Sequence, residues 1–86
     1  TTDYVGVEAT RCEFTVKVEF MRFIPSTGSH LVTCSVDNKN IIKFFMPEAK
    51  TKVGKTYTLV GYVKPHALNK HTGFKETMIN RIKFQE

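Results

Sequence analysis

Polar and apolar residues alternate through RCEFTVKVEFMRFI, residues 11–24. Cys12, Phe14, Val16, Val18 and Phe20 fall on one face, and Thr15, Lys17, Glu19, Met21 and Phe23 on the other. This period of two predicts a long, half-buried first strand. PSTGS (25–29) carries Pro, Ser and Gly and reads as a turn. HLVTCSV (30–36) is a second strand, DNKN (37–40) a second turn, and IIKFFM (41–46) a third strand. PEAKTKVGKTY then connects. Pro47 can begin one helical turn there, and the segment is too short for more. YTLVGYVK (57–64) and FKETMINRIKF (74–84) are the fourth and fifth strands. Residues 1–10 add at most a short edge extension to this single domain, 1–86.

The pattern also predicts register. A first hairpin closing symmetrically about PSTGS sets Phe20 near Cys34 and Phe23 near Leu31, with Val32, Cys34 and Val36 on the inner face. A three-residue second loop, with Asn40 in the left-handed region that Asn tolerates, turns Ile42, Phe44 and Met46 inward. Ile41, Lys43 and Phe45 then point outward. A two-residue turn would reverse these sets and bury Lys43, which is costly. The outer face of the first three strands then shows Met21, Phe23, Leu31, Thr33, Lys43 and Phe45. An apolar patch of that kind calls for a partner. A bulge or a different register would instead put Phe23 and Phe45 in the core.

Charge changes this picture because it is one-sided. Residues 1–43 hold five Lys/Arg and five Asp/Glu; residues 44–86 hold eight against three, so the whole net charge of +5 lies in the second half. Such a surplus favours a polyanion, nucleic acid before an anionic membrane. The same half contains KPHALNKHTG, a long cationic loop where a two-residue turn would join the strands. Cys12 and Cys34 form no CxxC and are set apart by the register, so they are expected as free thiols in a reducing compartment, the cytoplasm. No apolar run is long enough to span a membrane as a helix, and no signal-peptide pattern is present.

Five strands in this order, with a long first strand and a connector between the third and fourth, resemble an all-β, five-stranded OB-fold barrel with a reduced helix between strands 3 and 4. VGKTYTLVGYVK (53–64) is similar to the fourth-strand entry of single-stranded nucleic-acid-binding OB domains, of the replication protein A and phage single-stranded-DNA-binding kind. NKHTGFKETMIN (69–80) resembles the hairpin between their fourth and fifth strands. The likeness covers roughly residues 10–84. The chain departs from it in having no Trp on which to stack bases.

The resemblance implies a non-enzymatic domain that holds single-stranded DNA on stacked rings and backbone cations. RNA is equally compatible, because the 2′-hydroxyl contact leaves no mark in the sequence. Phe23 and Phe45 on the outer face, with Lys43 between them, are the first candidates. Tyr62, flanked by Lys64 and His66, should face outward on the fourth strand. On the loop, Lys70 and Lys75 would meet phosphates, while His66, His71 and Phe74 would pack on bases and Asn69 would bond a base edge. Arg81 extends the basic surface along the fifth strand. A protein-interaction subunit of a replication or recombination assembly could use the same apolar patch, and an edge strand could support a homodimer. No metal or cofactor is expected. His66 and His71 lack a nearby Cys, the carboxylates are scattered, and no phosphate-cradling Gly loop or catalytic triad order occurs.

Overall fold

A strand of fourteen residues is long enough to serve two neighbours, and the first one does. In the computed structural model, which describes residues 2–85, the elements are β1 (Arg11–Ile24), β2 (Ser29–Val36), β3 (Asn40–Met46), β4 (Thr56–Val63), β5 (Ala67–Leu68) and β6 (Lys75–Phe84). The first half of β1 pairs with β4, from Arg11↔Tyr62 to Lys17↔Thr56. Its second half pairs with β2, from Lys17↔Ser35 to Ile24↔Ser29. The sheet runs β3-β2-β1-β4-β6-β5, and a short parallel pairing of β3 with β6 closes it into a ring. The described residues contain no helix.

Inward positions alternate as the pattern requires. Phe14, Val16 and Val18 of β1 meet Val32 and Cys34 of β2, Ile42, Phe44 and Met46 of β3, Leu59 and Val63 of β4 and Ile79 of β6 in one core. Burying such a side chain is worth about 1.5–3 kcal/mol, so this cluster is what holds the ring shut. Gly61 also faces inward, because an added Cβ would lie 2.9 Å from Ile79 Cδ1 and 3.0 Å from Ile82 Cδ1.

The alternation predicted for β1 breaks at one place. Val18 pairs with Cys34 but Phe20 pairs with Thr33, so Glu19 is an extra residue in a bulge. Beside it, Val18 is held from two sides. Its N–H donates to Lys55 O at 2.9 Å and its carbonyl accepts from Gly54 N at 2.7 Å. A bulge lets β1 bend there from one half of the ring to the other. Every side chain beyond it changes face. Phe20, expected inside, is 57% exposed, and Met21, expected outside, packs against the core. The hairpin loop is 25–28, one residue shorter than PSTGS, so Phe23 opposes His30 and not Leu31. In the second turn Asp37 and Asn38 take the left-handed backbone expected of Asn40, with φ of 54° and 56°. The consequence for β3 is as predicted: Ile42, Phe44 and Met46 are buried and Phe45 is exposed.

Pro47 does not start a helical turn. Residues 47–55 fold as bends and a turn pinned from below. Lys50 N–H donates to Met46 Sδ and the buried Thr51 hydroxyl to Met21 Sδ, both at 3.3 Å, while Lys52 N–H donates to Tyr57 Oη at 2.9 Å. Residues 2–10 form no strand. They cross the ring as a strap, with Val5 N–H donating to Thr77 Oγ1 at 2.9 Å and Val5 packed on the core. Gly6 has φ 76° and lies so close to Phe14 and Val63 that a Cβ would come within 2.9 Å of each, which only glycine permits.

Candidate functional site

Directly opposed residues in neighbouring strands share a face. On the outer face of β1–β2–β3, one row is Arg22–Leu31–Phe45 and the next is Phe20–Thr33–Lys43. Phe20 and Phe45, 48% exposed, are the rings of this patch, and Arg22 is its exposed cation. The sequence pattern missed Phe20 and Arg22, because only the bulge brings them outward. Phe23 is also exposed, but it points to the other side of the hairpin, edge-on to His30 with ring centroids 5.2 Å apart. It is therefore not a neighbour of Phe45.

Lys43 lies at the predicted place without the predicted freedom. Its Nζ is 2.9 Å from Glu76 Oε1, and the two side chains are only 18% and 10% exposed. Asn69 Nδ2 donates to the same carboxylate oxygen at 3.1 Å. Asn69 Oδ1 accepts the N–H groups of His71 and Thr72 at 2.9 and 3.3 Å. The amide expected to read a base edge is thus spent on building its own loop. Together Lys43, Glu76 and Asn69 tie β3, β6 and the long loop into one unit.

That loop is a hairpin rather than an open arm. Ala67 and Leu68 pair with Glu76 and Lys75, and Asn69 N–H donates to Phe74 O at 3.0 Å. Lys64, Lys70, His71, Phe74 and Lys75 are exposed on it or beside it. His66 is not available for stacking on a ligand. Its ring is stacked on Tyr4 of the strap at 4.4 Å and 6°, and its Nδ1 is 3.7 Å from Glu8. Lys75 Nζ sits 5.8 Å from the centroid of the same Tyr4 ring.

A second aromatic–cation cluster occupies the outer face of β1–β4–β6, across the ring from the first. Tyr62 faces outward as predicted, opposed by Arg11 on one side and Asn80 on the other. Arg81 is the extra residue of a bulge in β6, with φ 52°, and its guanidinium lies 5.9 Å from the Tyr62 ring centroid. Arg11 Nη1 donates to Arg81 O at 3.1 Å. Between the two faces, where β3 and β6 diverge, is a cleft of about 550 Å³ lined by residues of the β3 end, the connector and the β6 end, Phe45 and Arg81 among them. Among the described residues no group of His, Cys, Asp and Glu is arranged to hold a metal ion.

Comparison with protein-family models, with curated proteins and with solved structures finds no match to this chain.

Proposed function

We propose that the chain is an OB-type module that binds single-stranded nucleic acid, DNA foremost, without chemistry of its own. The observation that carries the reading is the patch of Phe20, Arg22, Leu31 and Phe45, from two adjacent rows on the outer face of β1–β2–β3. Rings on a sheet surface stack bases of any sequence, and flanking cations follow the backbone. The long β1 shared between two strands and the parallel closure of β3 on β6 support an OB-type barrel, here with no helix between β3 and β4. The basic excess of residues 44–86 supports a polyanionic partner. Lys64, Lys70, Phe74 and Lys75 would extend the contact along the loop hairpin. The two free cysteines, one of them buried, fit a reducing compartment such as the cytoplasm.

One observation favours a second reading. Glu76 neutralises Lys43, so the centre of the patch is more apolar than the sequence implied. An apolar face of this kind also suits a protein partner in a replication or recombination assembly.

Fluorescence anisotropy of a labelled poly-dT strand of about 20 nucleotides, longer than the footprint of one OB domain, separates the two. The expected result is salt-sensitive binding that duplex does not compete away. Phe20→Ala and Phe45→Ala should each weaken it by about 1–3 kcal/mol, roughly five- to 150-fold. An oligonucleotide that fails to bind at low salt would reject the nucleic-acid reading and leave the protein-docking one.

A further inference from the structure

The parallel pairing that closes the ring is short. Only Ile41, Ile42 and Lys43 of β3 meet Glu76, Thr77 and Met78 of β6. Beyond that point β3 stays with β2 as far as His30↔Met46, while β6 bulges at Arg81 and follows β4 as far as Leu59↔Phe84. The strands diverge, and the helix-free connector leaves the gap between them open. The resulting cleft of about 550 Å³ has a size suited to a small organic ligand.

Its walls combine apolar and charged side chains. Met46 is buried, and Ile82 and Phe84 pack against the core. The Phe84 ring is held edge-on by Tyr57 at 5.7 Å and by Phe44 at 6.5 Å. Phe45 supplies a second ring. Lys50 and Arg81 line the cleft against a single acid, Glu48, so the lining is net cationic. Aromatic walls beside cations complement a flat heterocycle that carries a phosphate.

The cleft is also continuous with both exposed clusters. Phe45 belongs to the Arg22–Leu31–Phe45 row and to the cleft, and Arg81 belongs to the cleft and to the Tyr62 cluster. We infer that the cleft between the diverging ends of β3 and β6 is a nucleotide slot, taking one base of a bound single strand against Phe45 and Phe84 with its phosphate on Lys50 and Arg81. The strand then runs from the β1–β2–β3 face through the cleft toward Tyr62, so that clusters on opposite sides of the ring serve one ligand. This rests on the single-strand reading above and adds to it where one base is held.

Methyl-resolved NMR of the whole chain titrated with poly-dT tests both ideas separately. Leu31 methyls report the outer face, and the Ile82 δ1 and Met46 ε methyls report the cleft. Shifts at all three are expected. A shift at Leu31 with none at Ile82 and Met46 would overturn the slot and leave the single-strand reading standing. No shift at any of them would overturn both. As a second readout, Lys50→Gln with Arg81→Gln should lower the slope of log affinity against log salt by about 0.7, the value for the one phosphate held in the slot. An unchanged slope overturns the slot even if methyls shift indirectly.

Discussion

Two cysteines of one chain have opposite chemistry because their surroundings differ. Cys12 Sγ lies 3.2 Å from Thr10 Oγ1, and that side-chain hydrogen bond, with a backbone hydrogen bond at Val7, holds its thiol below the ordinary value. Cys34 is buried in the core beside Glu19, and burial first, then that carboxylate, pushes its thiol up to about 12. Near neutral pH a thiol reagent should label Cys12 quickly and Cys34 only on unfolding; equal rates at both would contradict the environments described. The Cys34 shift also predicts a pH dependence. The native thiol keeps its proton while the unfolded thiol, at its ordinary value of 9.0, loses it, so stability falls as pH rises from 9.0 toward about 12. Chemical denaturation of wild type against Cys34→Ala should show the steeper alkaline decline in wild type. The Lys43–Glu76 pair carries a larger effect. Glu76→Ala leaves a mostly buried ammonium without its partner and should lower stability by about 3 kcal/mol, whereas Lys43→Met with Glu76→Leu should cost much less. Equal losses in the two variants would mean that the pair is not effectively buried.

At the scale of elements, the bulges decide which residues a ligand can meet. The Glu19 bulge turns Phe20 and Arg22 outward and Met21 inward. The bulge at Arg81 places a non-glycine residue in the left-handed region, at a cost of about 1–3 kcal/mol. Arg81→Gly relieves that strain and loses a cation–π contact worth about 0.5–1 kcal/mol at an exposed site. The relief matches or exceeds the loss, so stability should hold or rise while oligonucleotide affinity falls. Unfolding and anisotropy titrations of the same variant check both halves, and a loss of stability without loss of affinity would make the bulge a purely structural feature. Gly61 sets the opposite constraint inside the ring. Gly61→Ala drives a methyl against Ile79 and Ile82 and should cost about 1–3 kcal/mol.

For the whole molecule, closure is achieved with very little. Three residue pairs join β3 to β6, reinforced by the strap over Thr77 and by the Lys43–Glu76–Asn69 network. The absence of a helix between β3 and β4 leaves the cleft open and makes the far-ultraviolet circular dichroism that of a sheet protein, without helical minima. Most ring contacts join residues distant in sequence, so refolding should be slow for the chain's size, in milliseconds to seconds; a microsecond refolding phase that recovers the full signal would speak against this topology. Charge acts at this scale too. The second-half cations are spread over the connector, the loop hairpin and β6, so weakening by salt should be a property of the whole surface rather than of any one lysine.

The sequence by itself determined the all-β class, the order of the five long strands and the facing of β3. Those follow from a local period of two and from the cost of burying Lys43. It also located the exposed ring of Phe45 and the outward Tyr62. Only the tertiary structure decided the rest. Val18 is gripped by residues 54 and 55, far along the chain, and the bulge beside it moved Phe20 out and Met21 in. Lys43 and Asn69 looked free because Glu76, their shared partner, is distant in sequence from Lys43 and meets it only when β6 closes the ring. His66 looked free because Tyr4, which stacks on it, is distant in sequence. The cleft had no sequence signal at all, since it is the space left where two strands, paired for three residues, follow different neighbours. Alternation is read from adjacent residues, whereas bulges, ion pairs and clefts are set by which distant segments meet.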